Sequence, residues 1–137
     1  MIDLHGAPGS QNGQDNSGLI GPVLFASNET NAERSLNVLR NLTEEFSRDV
    51  YGDTVMGIEL LNEPRLLTND FTMPQLKYFY TNGTDVVRSA DTAGNINTTI
   101  HGMFISIASR PVLISLTSPN LRRFLWLRLL GQLQSHR

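Results

Sequence analysis

Apolar positions along the chain alternate between two rhythms. Residues 1–5 (MIDLH) form a short apolar run that reads as a strand, and residues 6–22 break into Gly, Pro, Asn, Asp and Ser, the signature of a loop. Leu36, Leu39, Leu42 and Phe46 then recur at three- and four-residue steps, one stripe of a helix over about residues 28–50. Thr30 with Glu33 matches a capping box at its start, and Gly52 and Asp53 end it. Residues 54–61 are apolar on both faces, as strands of a parallel sheet are. Thr72 with Gln75 predicts a second capping box and a helix running to about Ser89. Its apolar face is Leu76, Phe79, Tyr80, Val86 and Val87, with Gly83 as a weak point. INTTIH (96–101) reads as a third strand. Strand, helix, strand, helix, strand is the βαβ rhythm of a parallel sheet or an α/β barrel.

Composition narrows this picture by exclusion. The chain has 137 residues, 39% hydrophobic and 18% charged, enough for the core of one domain. A net charge of −2 offers no basic field, so no nucleic-acid partner is expected. Without cysteine there is no disulfide frame and no thiolate metal site. No HExxH-type ligand spacing or phosphate loop occurs, so neither a metal nor a cofactor is expected; GAPGSQNG is Gly-rich but matches no nucleotide motif. The opening MIDLHGAPGS has no basic region and long apolar stretch of a secretory leader. It reads as the end of a core strand, and the expectation is that upstream sequence is missing.

The composition changes after the third strand. Residues 102–137 contain five Arg and no Asp, Glu or Lys. The boundaries expected are therefore a domain over 1–101 and an Arg-rich tail over 102–137. Arg110 and Pro111 split the tail's apolar run, which argues against a membrane span. Three readings of the tail stand open. Residues 121–137 (LRRFLWLRLLGQLQSHR) suit a basic membrane-surface helix, with Phe124 and Trp126 beside Arg122, Arg123 and Arg128. They also suit a core-facing helix. The favoured reading is that the tail is not domain sequence, as after a frame change or a retained intron, because acidic residues and the βα rhythm stop together.

Three strands in succession end in a residue that carries chemistry: His5, Glu63 and His101. In a parallel α/β fold the C-terminal strand ends form the active face. Glu63 sits between Asn62 and Pro64, a rigid mount for a general acid, and burial beside Leu60, Leu61 and Leu66 would raise its pKa toward that of a proton donor. The competing readings are a solvated loop carboxylate and structural histidines. Four Asn-x-Ser/Thr triplets, at Asn28, Asn41, Asn82 and Asn97, mildly favour a secreted origin.

IDLHGAPGSQNGQDNSG followed by VMGIELLNEP resembles the fungal exo-β-1,3-glucanases of glycoside hydrolase family 5, and QLKYFYTNGTDVVRSAD and TTIH continue the likeness over roughly residues 2–101. The resemblance implies part of a TIM (β/α)8 barrel, its third to fifth strands with the intervening helices, followed by a non-family tail. It implies retaining hydrolysis of β-glucan in the cell wall or outside the cell. By the same resemblance Glu63 is the acid/base, Asn62 binds the sugar 2-hydroxyl at the cleaved bond, and His5 and His101 line the substrate site.

The departures carry their own expectation. The family continues His-Asp-Ala-Phe after the fifth strand, whereas this chain has His101, Gly102, Met103 and Phe104. The family's nucleophile lies on a seventh strand, and a full barrel takes about 250 residues. The 137-residue chain alone is therefore expected not to hydrolyse glucan. The alternative is a non-catalytic fragment that grips glucan through the cleft remnant or a membrane through its tail.

Overall fold

A computed structural model describes residues 1–52, 54–55, 57–66, 71–96, 99–107 and 110–116, the last two stretches as backbone strands. The order is β1 (Ile2–Asp3), α1 (Glu29–Phe46), β2 (Gly57–Glu59), α2 (Met73–Ala90), β3 (Thr99–Ile107) and β4 (Arg110–Leu116), with single 3-10 turns at Asp15–Ser17, Phe25–Ser27 and Asp49–Tyr51. The class is α/β, as the βαβ rhythm predicts. One sheet has the order β1-β2-β3-β4. β1 and β3 both pair parallel to β2, with Ile2 and Ile100 level with Ile58. β4 returns antiparallel to β3, with Ile107 opposite Arg110.

Both helices differ slightly from expectation at their ends. The cap of α1 is Asn28, not Thr30: its side chain accepts the Thr30 N–H at 3.0 Å. α1 stops at Phe46, and the stretch toward Tyr51 tightens into a 3-10 turn instead of continuing to residue 50. Its inner line is Ser35, Leu39 and Thr43, all fully buried. The two hydroxyls donate back to the Asn31 and Leu39 carbonyls, which lets small polar residues sit inside. α2 starts as predicted, with the Thr72 N–H donating to Gln75 Oε1 at 2.8 Å. Gly83, the expected weak point, faces the core with room for a methyl group. A Cβ there would lie 3.4 Å from both Leu60 methyls and 3.5 Å from Leu39 Cδ1.

The core lies between the helices and the sheet. Phe25 stacks against Phe71 and Phe79 with ring centres 5.3 and 5.2 Å apart, and Leu39, Ile58, Leu60, Leu61, Leu76 and Val87 fill the rest. The run expected as a strand over 54–61 is buried on both faces from Gly57 to Asn62, but only Gly57–Glu59 are in the ladder. The strand pattern ends at His101 in the sequence, yet β3 runs to Ile107 and β4 follows. The basic run 121–137 lies outside the described residues. No described helix is long and apolar enough to cross a membrane.

Candidate functional site

The loop over 6–22 is a built structure held against the end of β2. Gly13 adopts φ 75°, open to glycine at little cost, and a Cβ there would collide with the Gly21 carbonyl. Gln11 sits at the centre, fully buried. Its Nε2 donates to the carbonyls of His5 at 2.8 Å and Asn62 at 2.9 Å, while its Oε1 accepts the Ala7 N–H at 3.1 Å. Its backbone carbonyl accepts the Arg65 N–H at 2.9 Å. One side chain thus ties the strand end after β1 to the strand end after β2, with every polar atom satisfied.

Leaving β2, the chain buries Leu60 and Leu61 and then turns sharply. The Asn62 N–H donates to the Leu4 carbonyl at 3.1 Å, which extends the contact with the β1 end by one step. Glu63 takes φ 42°, a left-handed conformation that costs a residue with a side chain of order 1 kcal/mol. Buried Pro64 follows, and the Arg65–Gln11 bond pins the turn. The half-buried Glu63 carboxylate accepts a hydrogen bond from Asn16 Nδ2 at 3.0 Å, and Asn16 Oδ1 accepts in turn from Asn12 Nδ2 at 3.0 Å. An aimed carboxylate on a strained turn is what pre-organisation of an acid/base group requires.

His5 stands beside it. Its Nδ1 lies 2.6 Å from Asp3 Oδ2, and its Nε2 lies 3.5 Å from Asn62 Nδ2. The carboxyl that burial pushes up in this cluster is Glu59, four residues before Glu63. Desolvation first, then the negative charge of Asp3, raises it from 4.5 to about 7. Burial likewise pushes the Tyr80 phenol up, and the charge of Glu59 adds to this. The Tyr80 hydroxyl donates to the Leu61 carbonyl at 3.4 Å.

Of the residues singled out from sequence, His5, Asn62 and Glu63 come together at one rim. His101 lies on β3 in register with Glu59, and its side chain lies outside the described residues. Sequence reasoning missed Asn16, Gln11, Asp3 and Glu59 as members of the site. Glu59 carried a readable signal, a lone charge inside a run buried on both faces. Asn16 carried none, being 47 residues from its partner in the chain. No group of three potential metal ligands occurs among the described residues.

No protein-family model matches the chain. It is 49% identical over 88 residues to a glucan 1,3-beta-glucosidase of Lachancea kluyveri, covering 64% of this chain and 19% of the relative. It is 44% identical over 105 residues to one of Blumeria graminis, covering 77% and 23%. The fission yeast Schizosaccharomyces pombe has another, 34% identical over 107 residues, covering 78% and 25%. An α/β unit with a carboxylate and an amide fixed at a strand end is thus related in sequence to fungal glycosidases. In particular, the chain is a homologue of the fungal glucan 1,3-β-glucosidases. It spans about a seventh to a quarter of the length of the curated relatives it matches.

Proposed function

We propose that the cluster is the acid/base half of a retaining β-1,3-glucan hydrolase site of glycoside hydrolase family 5. In this assignment β1, β2 and β3 correspond to the third, fourth and fifth strands of a (β/α)8 barrel. The observation that carries it is the mounting of Glu63, aimed by Asn16 on a strained turn beside Asn62 and His5. In the first step Glu63 protonates the departing glycosidic oxygen while a second carboxylate attacks the anomeric carbon. In the second step Glu63 takes a proton from water, which cleaves the covalent glycosyl-enzyme. Asn62 offers its amide to the 2-hydroxyl of the sugar, an interaction that strengthens in the transition state. His5, held by Asp3, lines the same rim.

The second carboxylate has to stand about 5–5.5 Å from the first and reach the sugar. Glu59 does not qualify, because at 2% exposed it is buried away from any sugar. From the family resemblance we propose that the nucleophile lies on a strand outside these 137 residues, and that the chain alone binds glucan without cleaving it. A β-glucan substrate carries with it an extracellular or wall location. The test is a pair of measurements on the pure chain. Laminarin should yield no glucose, and soluble β-1,3-gluco-oligosaccharides should shift the amide signals of Asn62 and His5, an effect lost in Asn62→Ala. Glucose release abolished by Glu63→Gln would overturn the inactivity; absence of any shift would overturn the half-site.

A further inference from the structure

Glu59 takes no part in the chemistry above, yet its placement is costly. It is 2% exposed, and among the described residues its Oε1 finds no hydrogen-bond partner. A buried carboxylate with an unpaired oxygen is disfavoured, so such a group either holds a proton or meets a partner. The parallel ladder sets Glu59 level with Asp3 on β1 and with His101 on β3. The Leu4 N–H, between Asp3 and His5, donates to the Glu59 carbonyl at 3.2 Å, so the two strands are locked at this level. Asp3 holds His5 Nδ1 at 2.6 Å, and His5 Nε2 stands 3.5 Å from the Asn62 amide. Glu59 thus lies under the foot of a polar chain, Asp3–His5–Asn62, whose upper end is the candidate site.

The titratable groups around it are Asp3 on β1, His5 just after it, Glu63 past the end of β2, Tyr80 on α2 and, by register, His101 on β3. A negative charge on Glu59 is opposed by Asp3 and Glu63 and favoured by His5, with Asp3 the strongest of the three. We propose that Glu59 is a positioning residue of the candidate site: as a neutral buried acid it leaves Asp3 free to hold His5 toward Asn62, and on losing its proton to solvent it repels Asp3 and loosens that chain. The catalytic meaning of this arrangement rests on the acid/base assignment of Glu63; the arrangement itself does not.

The experiment is a carboxyl-carbon NMR titration of the full 137-residue chain. Glu59 should titrate near 7. Asp3→Asn should lower that midpoint by about one unit, and His5→Gln should raise it. The Asn62 side-chain amide should show a step at the same pH, absent in Glu59→Gln. A Glu59 midpoint near 4.5, or one indifferent to Asp3→Asn, would overturn the proposal, and neither measurement requires the Glu59 variant to fold. Loss of oligosaccharide binding at Asn62 with the Glu59–Asp3 coupling intact would sink the acid/base assignment alone.

Discussion

Replacing Glu59 by Gln removes an ionisable group while keeping shape and burial. In the folded chain burial, then the charge of Asp3, pushes the carboxyl up to about 7, against 4.5 ordinarily. A folded pKa above the unfolded one means that the folded state holds its proton more tightly. The wild-type chain therefore has this group's stability in full below about pH 4.5 and loses it as pH rises through about 7. At about 1.4 kcal/mol per pH unit the difference amounts to about 3 kcal/mol. Water around the exposed Asp3–His5 pair screens part of it, which brings the expectation to about 2 kcal/mol. Urea unfolding of both proteins at pH 4.5 and pH 8 measures the effect. The variant should match the wild type within about 0.5 kcal/mol at the lower pH and exceed it by about 2 kcal/mol at the higher. An equal gap at both pH values would show that Glu59 is ionised or solvated throughout, and the burial argument would fall.

Three further outcomes are expected. Gln11→Ala deletes three side-chain hydrogen bonds and strands the buried Ala7 N–H and Asn62 carbonyl, so it should cost about 3 kcal/mol by denaturant unfolding. Gly83→Ala adds a methyl at ordinary contact distance from Leu60 and Leu39 and gains helix propensity. Its melting temperature should rise, with a gain of about 0.5–1 kcal/mol, and a fall would show that α2 is packed closer than the Cβ distances state. Asn28→Ala removes the cap of α1 and should cost about 1 kcal/mol, whereas Thr30→Ala, the position read as the cap from sequence, should cost distinctly less.

Periodic features were legible because they are local. The Thr72–Gln75 capping box and the apolar spacing of α2 contain all the information needed to place that helix. The α1 cap moved by two residues because Asn28 and Thr30 are both good caps, and only backbone geometry decides which side chain reaches an open N–H. The strand over 54–61 is readable as buried, but among the described residues its ladder covers only Gly57–Glu59 before the chain turns at Glu63. β4 escaped notice because the abrupt loss of acidic residues after Gly102 masked an apolar strand pattern at 110–116. At the site, His5, Asn62 and Glu63 were visible as polar residues at strand ends. Asn16 and Gln11 were not, since their roles depend on contacts 47 and 51 residues away in sequence. Glu59 is masked by the apolar residues on either side of it, which dominate the pattern of the run.

The Gln11 amide has a kinetic consequence. Its side chain bridges two carbonyls that belong to separate strand ends, and its own carbonyl holds the Arg65 amide. Opening of the loop and fraying of the Glu63 turn therefore share one breaking event. In hydrogen exchange the Ala7 and Arg65 amides should open together, with one common protection, although they lie in different segments of the chain. The Glu63 carboxylate is thus only as persistent as a single glutamine on the neighbouring loop.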